Sequence, residues 1–360
     1  MIRLAEVAEA FVADLEAHYS DRLLPGHRNA LSAILRCRTE ACGTAAIHCH
    51  DCESKDSFPL SCGHRFCPQC QNEAVEQWLG RQRAKLLPLD YYLITFTLPA
   101  QLRALVYSNQ RQAYDLLIKL AWQTLSEFSL NDKTLRGKLG ATLVLHTHSR
   151  ALDFHPHVHI VVPAGAIDPV HNRWRTKQGK FLFPEKALAK VFRAKWFQAM
   201  KDRGWTVKAK LPREWVVDCE WVGNGEKALL YLGRYLYRGV LAENNILACE
   251  DGQVTFRYTE NSGAIKTRTL PGADFLWLLL QHVLPKGFRR TREYGFLHSN
   301  CKRLIGRLYL LLRLCPPKPK DKPPLCCKHC GGVVTLTVIP YPRIRKPPHR
   351  PGATVLEMPM

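Results

Sequence analysis

Five histidines stand between positions 146 and 159: His146, His148, His155, His157 and His159. In an extended strand, side chains two residues apart share a face, so His157 and His159 would aim two imidazoles at one point while Val158 packs the other way. Two neutral imidazoles are the start of a divalent-metal site and need a third ligand. His146 and His148, on a neighbouring strand, share a face with each other. His148 lies nearer the connection and is the expected third ligand; His155 shares the parity of His157 and His159 and is an alternative, although Pro156 disturbs the strand beside it. The second element of chemistry is Tyr231-Leu-Gly-Arg-Tyr235, in which a helix would place both phenols on one face, one turn apart. A phenol ionises near pH 10, so a tyrosine nucleophile needs a metal or cations beside it. Arg234 and Arg238 lie on the same helix. Each feature alone also suits a plain reading, surface histidines in one case and packed tyrosines in the other. Together they describe a metal-held phosphate attacked by tyrosine, and two tyrosines would permit two successive strand transfers. Magnesium or manganese suits that chemistry better than zinc.

Cysteines form the other cluster. Of fourteen in the chain, Cys49-x2-Cys52 and Cys67-x2-Cys70 have the two-knuckle spacing that closes a tetrahedral zinc site. Cys37, Cys42, Cys62 and His64 remain for a second zinc. Near the other end, Cys327-x2-Cys330 supplies half of a further site, with Cys301, Cys315, His329 or His349 as candidate partners. A segment as polar as residues 37–70 cannot hold a core without such a staple.

The balance of 52 Lys+Arg against 31 Asp+Glu leaves a formal charge of +21, more than solubility asks for, and points to nucleic acid. A membrane surface is a poorer fit, because the basic residues are spread along the chain and no run approaches the roughly 20 apolar residues of a span. The opening residues carry acids where a signal peptide would be apolar, so the expected location is the cytoplasm, where clustered thiols bind metal more readily than they form disulfides.

The elements that must position these groups follow from periodicity. Residues 71–86 read as a helix, 91–98 as a core strand stopped by Pro99, and 101–128 as a helix with an apolar side. Strands follow at 141–148 and 157–163, joined closely enough to be antiparallel neighbours. A helix over 184–200 and a strand over 214–219 complete the order strand, helix, strand, strand, helix, strand. That order predicts an α+β fold with a split ferredoxin-like antiparallel sheet, helices on one face and the other face open to substrate. Beyond it, 253–258 and 265–270 form a basic hairpin carrying Lys266 and Arg268, followed by helices over 275–284 and 301–314 and the cations Arg289 and Arg290 between them. With Arg234 and Arg238, these are the expected DNA contacts. Pro316 to Pro324 reads as a linker, and the last twenty residues as a mobile tail.

Four stretches together resemble the two-tyrosine rolling-circle transposases of bacterial insertion sequences, members of the HUH superfamily of single-strand nucleases. They are Ser61-Cys-Gly-His-Arg-Phe-Cys-Pro-Gln-Cys70, Tyr92-Leu-Ile-Thr-Phe-Thr-Leu-Pro99, His155-Pro-His-Val-His-Ile-Val-Val-Pro163 and Tyr231-Leu-Gly-Arg-Tyr-Leu-Tyr-Arg238. The resemblance implies that His157 and His159 are the metal pair and Tyr231 and Tyr235 the nucleophiles. It also implies cleavage of single-stranded DNA at element ends through a 5′-phosphotyrosine, and rejoining of those ends. The implied organisation is a zinc module over 1–86, an HUH-type nuclease domain over 87–245, a basic hairpin and helical region over 246–315, and a linker, zinc knuckle and tail over 316–360. Two alternatives stay open: a replication initiator or relaxase with the same chemistry, and a noncatalytic zinc-dependent DNA-binding protein.

Overall fold

Strict alternation of side chains decides the central sheet. A computed structural model describes residues 1–168, 170–171, 173–237, 241–260, 263–315 and 324–339, with only the backbone of 71–73, 234–237 and 339. The chain divides into two units, each discontinuous in sequence. The smaller joins Arg36–Cys62 to Lys322–Met360, and the larger joins Met1–Leu35 to Gly63–Asp321. These units follow contact, and they cut across the four segments delimited from sequence.

In the smaller unit, β1 (Thr44–Cys49) lies between β2 (Lys55–Pro59) and β13 (Val334–Ile339), antiparallel to both. The polar Thr-x-Thr pattern of β13 had given no strand signal. It forms a strand because β1 supplies its hydrogen-bonding edge.

In the larger unit, β3 (Tyr91–Thr97), β4 (Gly140–His148), β5 (Phe154–Pro163), β8 (Val217–Trp221) and β12 (Thr291–Gly295) form one sheet. Its order is β12-β4-β5-β3-β8, and every neighbouring pair is antiparallel. Tyr92, Ile94 and Phe96 of β3, Leu143 and Leu145 of β4, and Val158, Ile160 and Val162 of β5 point to one face. There they pack against α4 (Arg103–Ser108), α5 (Gln110–Asn131) and α6 (Glu185–Asp202), the main core of the molecule. The single helix expected over 101–128 is broken at Asn109, whose φ of −124° and ψ of 36° leave the α region. A short β6 (Gly165–Asp168) and β7 (Arg173–Thr176) form a separate ribbon.

The opposite face is covered, which corrects the expectation of an open one. There α3 (Gln71–Arg83) and α7 (Glu226–Tyr237) set Val75, Trp78 and Leu79 against Ala228, Leu229 and Leu232, over Tyr91, Val144 and Val161 of the sheet. Gly233 permits this: a Cβ there would lie 2.8 Å from Leu79 Cδ2. Leu93, Val144 and Val161 are apolar on what was to be the substrate face, and burying them under α7 brings its tyrosine to the histidines.

Beyond the sheet, β9 (Ile246–Glu250), β10 (Gln253–Thr259) and β11 (Ile265–Pro271) form an antiparallel sheet, so the expected hairpin gains a third strand. α1 (Leu4–Tyr19) packs on α8 (Gly272–Leu280), where the Tyr19 and Trp277 rings stack at 4.7 Å. α2 (Pro25–Arg36) and α9 (Lys302–Leu311) complete the named helices. Among the described residues no helix is long and apolar enough to cross a membrane.

Candidate metal centre and tyrosine site

Register places three histidines together. His157 on β5 lies opposite His146 on β4, and His159 opposite Val144. One ligand atom from each of His146, His157 and His159 falls within 4.8 Å of the other two. His148, expected to be the third ligand, is not in the group. A bulge between His146 and His148 shifts the register and sets His148 opposite Phe154. Its ring lies against His282, with centroids 3.7 Å apart. A bulge adds a residue to one strand and re-aims the side chains beyond it, which is why shared parity did not mean a shared site. His155 is also outside the group; its Nδ1 lies 2.9 Å from Arg103. β5 continues through Pro156, and its register with β4 shifts beside that proline.

The ring nitrogens are prepared for a cation. The Nδ1–H of His157 donates to the carbonyl of His155 at 2.6 Å, leaving Nε2 with its lone pair. Thr95 Oγ1, opposite His159 on β3, is 2.8 Å from His159 Nδ1 and fixes that ring likewise. Burial pushes His159 down to about 3 and His157 to about 4, and holds His146 well below the ordinary histidine value. All three are therefore neutral near pH 7, the state in which imidazole binds metal. Three converging neutral nitrogens fit a divalent cation.

Tyr231 faces this cluster. Its ring centroid lies 5.7 Å from that of His159 and 6.2 Å from that of His146, and the side chain is 37% exposed. It lines an open cavity of about 870 Å³ with His159, Thr95, Lys227, Arg150 and Trp221. Lys227 precedes Tyr231 by one helical turn, an i, i+4 spacing legible in the sequence. Asp218 and Glu220 of β8 also line the cavity. Burial, then repulsion from Glu185, pushes the Asp218 carboxyl up. Tyr235 lies one turn beyond Tyr231 on α7, but its side chain and that of Arg234 are outside the described residues, as is Arg238 altogether.

The cysteines regroup. Cys49 and Cys52, expected to share a zinc with Cys67 and Cys70, are joined by Cys327 and Cys330. Sulfur separations are 3.5 Å for Cys49–Cys330 and 3.7 Å for Cys52–Cys327. A zinc with four bonds of about 2.3 Å needs sulfur–sulfur edges of about 3.8 Å, so the set fits a tetrahedral ion. The partners came from the antiparallel pairing of β1 with β13, in which Cys49 lies opposite Val334. The Ser54 hydroxyl, with backbone N–H groups of the knuckle, holds the Cys327 thiol down to about 5. Against the Gly332 N–H, the neighbouring thiols of Cys49 and Cys52 push Cys330 up to about 12. Of the other candidate partners for the second knuckle, Cys301, Cys315 and His329 are not in the set, and His349 is outside the described residues. Cys67 and Cys70 lie in the larger unit, on the turn leading into α3. Cys37, Cys42 and Cys62 belong to the smaller unit, where Cys42 Sγ lies 3.1 Å from the Arg36 carbonyl. His64, in the larger unit, accepts from the Phe66 N–H through Nδ1.

Of the expected DNA contacts, Lys266 pairs with Glu260 at 2.8 Å. Arg268 reaches the Ala151 carbonyl and Asp153 in the loop between β4 and β5. Arg289 and Arg290 line a second cavity, whose lining does not include Tyr231.

Residues 140–304 match a family model described as a putative transposase, and residues 7–98 one described as a transposase zinc-binding domain. A putative transposase, y4qJ, from Sinorhizobium fredii is 32% identical over 343 residues, which cover 88% of this chain and 86% of the relative. The chain belongs to the rolling-circle transposase family. The transposase for insertion sequence element IS801 from Pseudomonas savastanoi pv. phaseolicola is 28% identical over 343 residues, 85% of this chain and 82% of its own length. No solved structure matches the transposase. Its three grouped histidines and Tyr231 all fall inside the first matched segment, whereas Cys327 and Cys330 lie beyond both.

Proposed function

We propose that this transposase cleaves and rejoins single-stranded DNA at the ends of an insertion sequence, with Tyr231 as attacking nucleophile beside a divalent cation held by His146, His157 and His159. The observation that carries the reading is the phenol of Tyr231 set against that neutral three-histidine cluster. Magnesium or manganese bound there would draw charge from the nonbridging phosphate oxygens. Lys227 stands one helical turn from Tyr231 on the same cavity, where its ammonium can meet a phosphate oxygen, and exposed Trp221 offers a face for a base to stack on. The Tyr231 phenol gives its proton to solvent as its oxygen attacks phosphorus, the P–O3′ bond breaks, and the 3′ oxygen takes up a proton from solvent. The products are a free 3′-hydroxyl and a 5′-phosphotyrosine. Rejoining is the reverse attack by a 3′-hydroxyl, with the phenol as leaving group. Tyr235, one turn along α7, is the second nucleophile in this reading.

The finer fold assignment is an HUH-type sheet in which β4 and β5 carry the metal site. Zinc at Cys49, Cys52, Cys327 and Cys330 braces the smaller unit. Lys266 and Arg268 contact DNA through the backbone once their present partners are displaced.

The test is a denaturing gel of the full-length protein with labelled single-stranded DNA from the gene's flanks and Mg2+ or Mn2+. A covalent adduct is expected that needs metal and disappears in Tyr231→Phe, with Tyr235→Phe blocking only the second transfer. Tight binding without an adduct on any flanking sequence would instead favour a noncatalytic zinc-dependent DNA-binding protein.

A further inference from the structure

The second cavity, of about 840 Å³, has a chemistry distinct from the tyrosine site and no assigned role. Arg65, Lys286 and Arg289 stand exposed on it, half-buried Arg290 lines it further in, and no carboxylate is among its lining residues. Such a rim attracts phosphate. The volume falls within the range that takes a small organic ligand.

Its lining carries more than charge. His27 and His282 are 4% and 1% exposed, and both line the cavity. The Nδ1 of His27 accepts from the Leu24 N–H, so a neutral His27 carries its proton on Nε2. The Nδ1–H of His282 donates to the carbonyls of Leu278 and Leu279, which leaves its Nε2 as a lone pair, buried and with no hydrogen-bond partner. One histidine is thus set as a donor and the other as an acceptor. The amides of Asn29 and Gln110 add two groups able to read a base edge, and Phe66 adds an aromatic face. A phosphate site alone would need neither the acceptor nor the ring.

Position supplies the last element. His282 lies against His148, which stands two residues from the metal-site His146 on the same strand. Two residues of strand span about 7 Å, so the cavity flanks the catalytic cluster at the scale of one or two nucleotides. We propose that this cavity is a specificity site, which takes an unstacked base of the single strand with the adjoining phosphates on Lys286 and Arg289. The proposal rests on the single-stranded DNA reading above and adds where sequence is read.

The experiment is photocrosslinking of full-length protein with flank oligonucleotides that carry one 5-iododeoxyuridine or 6-thioguanine at successive positions, mapped by mass spectrometry. The cleavage gel is run on the same oligonucleotides. The expected result is a crosslink to residues 64–66 or 282–291 from bases at one fixed spacing from the cleaved phosphate. An Asn29→Leu, Gln110→Leu double variant should need about tenfold more DNA for half-maximal adduct, corresponding to about 1.4 kcal/mol. Cleavage with crosslinks only elsewhere, and a double variant that titrates like the wild type, would overturn the specificity site and leave the nuclease reading standing. Crosslinks in the cavity without any cleavage would support the site and count against the nuclease.

Discussion

The three-histidine cluster and the four-cysteine cluster both bring metal-ligating side chains together, yet they relate to the fold in opposite ways. The histidines sit on adjacent strands of a sheet whose other face carries the main hydrophobic core, and their rings are fixed by a backbone carbonyl and by Thr95 before any ion arrives. The cysteines come from hairpins of a small polar unit in which β2 is largely exposed. In the first case the fold makes the site, and in the second the site makes the fold. Removing the metal should therefore silence the larger unit and unfold the smaller one.

The sharpest way to break that contrast is at His146 and His148. His146→Ala should lower metal-dependent adduct formation by roughly 10³-fold, about 4 kcal/mol of barrier, with little loss of secondary structure. His148→Ala should cost less than about tenfold. Equal losses in a single-turnover assay would return His148 to the ligand set. Next in size is the zinc. Cys327→Ser should remove one equivalent of zinc from the purified protein, and hydrogen exchange should rise over 44–59 and 334–339 but not over β4 and β5. Uniformly increased exchange would mean that the cysteine set also supports the sheet. Thr95→Val should weaken Mn2+ binding about tenfold by freeing the His159 ring, measured by titration calorimetry. An unchanged affinity would make that hydrogen bond incidental.

The smallest effect is on pH. Unfolded histidines take up protons near pH 6.5, whereas His157 and His159 resist until about 4 and 3. Between those values the unfolded state holds more protons, so metal-free stability should fall as pH drops from 7 towards 4. Each of these two rings contributes at most about 1.4 kcal/mol per pH unit to that slope. Urea midpoints that do not move over this range would show that the three rings are hydrated in solution.

What was legible in the sequence depended on distance along the chain. The common face of His157 and His159, the strands around them and the helical face of Tyr231 follow from periods of two and of 3.6, which are local. The choice between His146 and His148 was beyond that reach, because parity is identical and only the bulge separates them. The closure of Cys49 and Cys52 by Cys327 and Cys330 was hidden for a related reason: two incomplete knuckles each looked for near neighbours, and the pairing of β1 with β13 has no local signature. The covering of the histidine face was available in principle, since Leu93, Val144 and Val161 are apolar at positions assigned to substrate.

That late closure bears on synthesis. Cys49 and Cys330 are 281 positions apart, so a ribosome adding about 5–20 residues per second exposes the first knuckle for tens of seconds before the second is made. Through that interval the amino-terminal hairpin can hold an ion by only half of its eventual grip. A message cut short before codon 330 would therefore yield a chain whose zinc is never sealed, and that chain would meet proteases before it met DNA.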